Sequence, residues 1–120
     1  MAKHHAAAKE IAVIAQIEDA EALDEIEAIA KVEGIDALFI GRADLTISLG
    51  ETNSDAPHVI AAVERICAAG RAAGRAIGMF LARPGDVAQW REKGASLFVL
   101  QSDQEFLLKG ATALAETIKG

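Results

Sequence analysis

The chain has 120 residues, of which 52% are hydrophobic and 4% aromatic, and its formal net charge is −6. This length fits one ordinary domain. An acidic balance without clustered Lys and Arg, together with few aromatic rings, argues against nucleic acid as a partner. No apolar run reaches the ~18 residues of a membrane-spanning helix, so we expect no membrane partner. Residues 1–9 contain no apolar segment before a cleavage-like site, so we expect no secretory signal. The single cysteine fits a reducing cytoplasm, where we expect the protein to act.

The first third of the chain contains two short apolar segments separated by an amphipathic stretch. Residues 11–17 are nearly all apolar and rich in isoleucine, as buried parallel strands are. Leu23, Ile26 and Ala30 then recur at helical spacing, and Gly34 is placed to end that helix. Residues 35–41 predict a second strand.

A polar loop follows, after which Pro57 suits the first turn of a longer helix. One face of this helix is predicted to be buried, and it carries Val59, Ile60, Val63, Ile66 and Cys67. We interpret Cys67 as a small core residue. Residues 76–81 predict the third strand.

The last third repeats the alternation. Pro84 is predicted to open a shorter helix that ends at Gly94 and carries Trp90, which we interpret as a core anchor. Residues 96–100 predict the fourth strand. Ser102 or Asp103 would cap a final helix, whose apolar positions are Leu107, Ala111, Leu114 and Ile118.

Four βα units in succession indicate an α/β fold with a parallel sheet. An eightfold TIM-type barrel needs roughly 250 residues, so the chain corresponds to about half a (β/α)8 barrel. A small open sheet of the flavodoxin type is the alternative at this length. We expect one half-barrel domain over residues 1–120, with residues 1–9, including His4 and His5, as a terminal segment.

Two acidic side chains follow neighbouring predicted strands. Glu18 comes one residue after the first strand, and Asp44 comes three residues after the second. The carboxyl ends of parallel strands face the active site in such folds, so the two carboxylates can converge. Oxygen ligands with open positions for water or substrate suit Mg²⁺ or Mn²⁺. Acidic residues are also common in these loops as helix caps, which is the structural alternative.

The segments around these carboxylates resemble the HpcH/HpaI aldolase/citrate lyase family. Three motifs carry the resemblance. They are Gln16-Ile-Glu18, residues 32–45, which contain Gly41-Arg-Ala-Asp-Leu45, and Ser48-Leu-Gly50. It continues through residues 72–78 and 94–99 to Ser102-Asp103. These are metal-dependent class II aldolases, so the resemblance implies the second half of a (β/α)8 barrel.

The resemblance also implies a mechanism and a set of residues. Glu18 and Asp44 would hold the divalent metal, Mg²⁺ or Mn²⁺ with Co²⁺ as a further candidate, which stabilises a pyruvate enolate. Gln16 would line the site beside the metal. The backbone of Gly41, Arg42 and Ala43 would hold the carboxylate of pyruvate or another 2-oxo acid. The enolate then adds to an aldehyde, or the reverse cleavage releases one.

Two features depart from the family pattern. The family usually has proline where this chain has Arg42, whose guanidinium could bind an acidic substrate or could instead be solvated or salt-bridged. The histidine for proton transfer and the arginine that stabilises the enolate oxygen belong to the first half of the family's barrel. We therefore expect this chain alone to be a weak catalyst or inactive.

The leading hypothesis is a carbon–carbon lyase (aldolase) segment that acts on 2-oxo-4-hydroxy acids. An acyl-CoA or citryl-type lyase of the same family is the alternative within enzymes. A non-catalytic half-barrel assembly module is the alternative from another class. Because four βα units leave apolar surfaces and strand edges open, we expect a homo-oligomer or pairing with a missing N-terminal half.

Overall fold

The computed structural model describes residues 10–119, so His4 and His5 lie outside the described residues. Within this range the chain forms four successive βα units around one parallel sheet, as predicted. The strands are β1 (Ile14–Ile17), β2 (Ala37–Ile40), β3 (Ala76–Leu81) and β4 (Leu97–Leu100). The helices are α1 (Ala20–Asp24), α2 (Ile26–Ala30), α3 (Arg42–Ser48), α4 (Pro57–Ala72), α5 (Val87–Glu92) and α6 (Asp103–Lys119), with a 3₁₀ turn at Pro84–Asp86.

The strands lie in the order β1-β2-β3-β4, so each strand pairs with the next one along the chain. β3 has its predicted bounds, whereas β1 begins three residues later than predicted. The cause is local: the Val13 carbonyl accepts the Asp36 amide at 2.9 Å, and the Asp36 carboxylate accepts the Val13 amide at 2.7 Å. This exchange ends the ladder, and Ile11 is left 67% exposed.

The sheet has one covered face and one open face. Ile17, Ile40 and Met79 share a register row, and all three are buried against the helices. The neighbouring row contains Gln16, Phe39, Gly78 and Leu97, and it projects to the opposite face. On that open face Phe80 is 44% and Leu97 40% exposed. In a complete barrel this is the face that points inward.

The helices pack one side of the sheet. The first predicted helix is divided into α1 and α2 at Glu25, and Gly34 follows it with a left-handed φ of 90°. The predicted face of α4 is confirmed, since Val59, Val63 and Ile66 are fully buried and Ile60 is half-buried. α3 was not predicted as a helix.

The final helix α6 differs from the others. Ser102 caps it, accepting the Glu105 amide at 3.2 Å, as one of the two predicted caps. Every residue of α6 is exposed, including Leu107 at 75% and Ile118 at 77%. Its apolar stripe therefore has no partner within residues 10–119. No helix in this range is long and apolar enough to cross a membrane.

Candidate metal and substrate site

Glu18, Gln16 and Gly41 meet at the carboxyl edge of β1 and β2. The Gln16 amide donates to Oε2 of Glu18 at 2.5 Å, and the Gly41 amide donates to the Ile17 carbonyl at 3.0 Å. A Cβ on Gly41 would lie 2.8 Å from both Cβ and Oε2 of Glu18. The close approach of Glu18 to the second strand end thus requires a residue without a side chain at position 41.

Asp44 lies in the first turn of α3, which begins immediately after Gly41. Its side chain is exposed. The amides at the start of a helix have no intrahelical partners, and here no side chain caps them. The turn is fixed from within, because the buried Thr46 hydroxyl donates to the Arg42 carbonyl at 2.7 Å. The structure therefore presents one carboxylate after β1 and one after β2 at the same edge of the sheet.

Ser48 connects the two strand ends from the far end of α3. Its hydroxyl oxygen accepts the Ala20 amide at 2.9 Å and lies 3.5 Å from Oδ1 of Asp19. Asp19 in turn caps α1 by accepting the Glu21 amide at 2.9 Å. The loop that follows Glu18 is consequently tied to the helix that carries Asp44.

The Arg42 side chain is largely buried, with 11% of its surface exposed. Its Nη2 donates to the Ser54 carbonyl at 2.6 Å and to Oδ1 of Asp55 at 2.8 Å. The guanidinium carbon lies 5.1 Å from the centroid of the Trp90 ring. Of the alternatives for this residue, the structure shows the salt-bridged one, through Nη2 of the guanidinium.

Asp55 also joins Arg42 to a second arginine that sequence reasoning missed. Arg83 donates to both oxygens of Asp55 at 3.1 Å and to Asp86 at 2.9 Å. The hydrogen bond from Arg83, and after it the one from Arg42, hold the pKa of Asp55 below its ordinary value of 3.8, against the effect of burial. The available sequence signal was an arginine two residues after the end of each of two neighbouring strands, β2 and β3, at one edge of the sheet.

An open cleft of about 730 Å³ lies beside α3, between that helix and the end of β3. Ala43 and Ile47 line it from α3, and Phe80 lines it from the open face of the sheet. Arg83 and Asp86 line its polar rim. The cleft gives a small molecule access to the segment that carries Ala43 and Asp44.

The donor set can be compared with what a metal requires. Residues 10–119 contain no group of three or more His, Cys, Asp and Glu side chains placed to hold an ion. Two carboxylates with further positions left for water or a chelating substrate nevertheless fit a hard cation such as Mg²⁺ or Mn²⁺, because Mg²⁺ is usually bound through one or two carboxylates. The contact of Glu18 with Gly41 fits the same use, since the glycine leaves room for the carboxylate at the strand end.

The residues assigned to the core are confirmed there. Trp90 and Cys67 are each 1% exposed. Burial raises the pKa of the Cys67 thiol, so this group stays protonated and inert at neutral pH. His58 at the start of α4 is exposed and lies 3.8 Å from Glu51.

Fold and site together define a class of protein: four parallel βα units of the barrel type, with acidic groups at the carboxyl ends of adjacent strands, as in enzymes built on (β/α)8 barrels. Residues 2–109 match the model of the HpcH/HpaI aldolase/citrate lyase family, and the chain belongs to that family.

Relatives of known sequence and structure agree with this assignment. A 4-hydroxy-2-oxo-heptane-1,7-dioate aldolase of Salmonella paratyphi B is 38% identical over 112 residues, which are 92% of this chain and 43% of the relative. A family protein from Burkholderia cenocepacia superimposes with a TM-score of 0.84 at 38% identity, over 92% of this chain and 43% of that one. The citrate synthase SbnG superimposes with a TM-score of 0.83 at 33% identity, over 96% of this chain and 47% of that one. The chain thus spans less than half the length of these relatives.

Proposed function

We propose that these four βα units carry the metal-binding half of the active site of a carbon–carbon lyase, an aldolase that handles a 2-oxo acid and an aldehyde. The observation that carries the proposal is the contact of Glu18 with Gly41, which joins one carboxylate to the segment bearing the other, Asp44. Names of relatives that are aldolases support the reaction class.

The residues of this chain have distinct roles in the proposal. Glu18 and Asp44 would hold the divalent cation, which would act as a Lewis acid toward the oxo acid. Gln16 orients Glu18 by its hydrogen bond to Oε2 and leaves the other carboxylate oxygen for the ion. The backbone amides of Arg42 and Ala43, next to Gly41, bind the carboxylate of the oxo acid. The cleft beside Ala43 and Phe80 admits the aldehyde.

We expect binding, rather than fast turnover, from this chain on its own. The family resemblance assigns the proton-transfer histidine and the enolate-stabilising arginine to the preceding strands of the barrel. Loss of one oxyanion-stabilising donor costs about 10²–10³ in kcat, and a missing general acid–base typically costs about 10²–10⁴. Because of this, the half-site is best tested with a non-reacting analogue of the pyruvate enolate.

The test is calorimetric titration of Mn²⁺ into the chain in the presence of oxalate. Oxalate chelates through two oxygens as an enolate of pyruvate would, so metal and oxalate should bind together. Glu18→Ala and Asp44→Ala should each weaken binding by more than the ~10–100-fold that loss of an outer-shell partner costs, because each removes a direct ligand.

Glu33→Ala is the matched control. Glu33 is an exposed carboxylate before β2, at the opposite end of that strand from Asp44, so its removal changes net charge equally without touching the site. Oxalate-dependent Mn²⁺ binding that is unaffected by Glu18→Ala and Asp44→Ala would overturn the proposal, as would the absence of such binding in the folded chain.

A further inference from the structure

Arg42 holds together three segments that are separate in sequence. It is the first residue of α3, its Nη2 donates to Ser54 and Asp55 in the segment after that helix, and its guanidinium stacks on Trp90 of α5. The distances are 2.6 Å, 2.8 Å and 5.1 Å respectively. Cation–π stacking and charge-assisted hydrogen bonds here act on the same planar group.

Placing an arginine in this position has an energetic cost. The side chain is 11% exposed, and its Nε is buried without a hydrogen-bond partner within residues 10–119. Burial of a charged group is unfavourable unless ion pairing and hydrogen bonds compensate for lost hydration. An arginine serving only solubility would project into water, so this geometry indicates a role for the contacts themselves.

Asp55, the salt-bridge partner of Arg42, is itself held in place by other residues. The Asp55 carboxylate also forms a salt bridge with Arg83, and Arg83 forms a second one with Asp86 in the 3₁₀ turn after β3. The segment that contains Ser54 and Asp55 is therefore attached to the end of β3 by salt bridges. Through Asp55 the start of α3 is held against the carboxyl end of β3.

Arg42 stands two residues before Asp44, in the same helical turn. The buried Thr46 hydroxyl donates to the Arg42 carbonyl at 2.7 Å, which ties the two ends of this turn together. A displacement of Arg42 would accordingly be transmitted to Ala43 and Asp44.

We propose that Arg42 is a positioning residue: its side chain fixes the first turn of α3 against Asp55 and Trp90 and thereby sets the direction of the Asp44 carboxylate toward the metal and the 2-oxo acid. This inference rests on the proposed function and deepens it. Groups that orient a metal ligand without touching the metal typically contribute about 10–100-fold to affinity.

The experiment compares Arg42→Met with the unmodified chain by titration of Mn²⁺ in the presence of oxalate. Methionine keeps much of the apolar stem but removes the charge and the donors. We expect the affinity to fall by about tenfold or more. Arg65→Met is the control, because Arg65 also pairs with a carboxylate, that of Glu27 between α4 and α2, but does so at the surface and away from the site. If Arg42→Met does not fold, Arg42→Lys replaces it in the experiment, because lysine keeps the positive charge but lacks the planar guanidinium.

Two further readouts separate positioning from general stability. Trp90 is the only tryptophan of the chain, so its fluorescence should change in Arg42→Met before any ligand is added, and should not change in Arg65→Met. Arg42→Pro should recover much of the affinity lost in Arg42→Met, because proline at the first helical position fixes that turn without any side-chain contact.

Each outcome has a definite meaning. Unchanged affinity or unchanged Trp90 fluorescence in Arg42→Met would overturn the positioning role while leaving the proposed function intact. An Arg42→Pro variant as weak as Arg42→Met would also overturn it, since the guanidinium itself would then be needed by the ligand. If the unmodified chain binds no Mn²⁺ with oxalate, the proposed function and this inference fall together.

Discussion

At the scale of single residues, the candidate site depends on the absence of a side chain at Gly41. Gly41 has an ordinary negative φ of −79°, so its backbone would accept any side chain. Its constraint is spatial, since a Cβ would lie 2.8 Å from the carboxylate of Glu18. Glycine is needed there because a strand end and an acidic side chain approach each other closely.

Gly41→Ala should therefore displace Glu18 and break its hydrogen bond with Gln16. We expect the affinity for Mn²⁺ with oxalate to fall by about 10–100-fold, as for other changes that misdirect a ligand. Gly85→Ala is the control, because a Cβ on Gly85 meets nothing within 4 Å. Calorimetry on both variants checks the prediction, and equal affinities in the two would contradict it.

At the scale of elements, α4 and α6 show how the same pattern of sequence can have different outcomes. Both are long helices with an apolar stripe, but α4 buries its stripe against the sheet whereas every residue of α6 is exposed. Each helix contains one glycine. Gly70 of α4 packs on Ile77 of β3, and Gly110 of α6 faces open space.

Alanine at these two glycines should have opposite effects. A Cβ on Gly70 would lie 2.1 Å from Cδ1 of the buried Ile77, so Gly70→Ala should destabilise the fold by about 1–3 kcal/mol through overpacking. Gly110→Ala should stabilise α6 by about 0.5–1 kcal/mol, because alanine loses less backbone entropy in a helix.

Urea denaturation followed by far-UV circular dichroism measures both changes. Marked destabilisation by Gly110→Ala would contradict the exposure of α6 and would show that this helix packs closely against another surface in solution. A neutral Gly70→Ala would mean that Ile77 moves aside at no cost.

At the scale of the whole molecule, the four units are extended and leave large apolar side chains exposed. The Cα radius of gyration is 17.9 Å, against about 14 Å for a compact chain of this length. Phe80, Leu97 and Val99 are 40–45% exposed on the open face of the sheet, and α6 adds its own apolar stripe. Surfaces of this kind favour association.

We predict that the purified chain self-associates through the open face at micromolar concentrations. Its molar mass by light scattering should be at least twice the 12.6 kDa of one chain. Phe80→Asp places a charge on that face and should shift the mass toward the monomer. Val32→Asp is the control, because Val32 is similarly exposed, at 49%, but lies in the loop before β2. A monodisperse species of 12.6 kDa would contradict the prediction.

Much of the architecture could be predicted because it depends on local patterns. The limits of β3 and the buried face of α4 follow from apolar periodicity. The candidate carboxylates could be found because the ends of parallel strands are readable from sequence and share one edge of the sheet. The helix α3 was missed because it has only seven residues and no capping side chain.

What the sequence by itself determined is the succession of four βα units, the buried face of α4, and the two strand ends that carry Glu18 and Asp44. The tertiary structure alone decided that Gly41 lies against Glu18, that Arg42 pairs with Asp55 and stacks on Trp90, and that α6 packs on nothing within residues 10–119. The physical reason is separation along the chain. The spacing of apolar residues indicates which residues a few positions apart share a face. Contacts between residues 13 to 48 positions apart depend instead on how the whole sheet and its helices pack together.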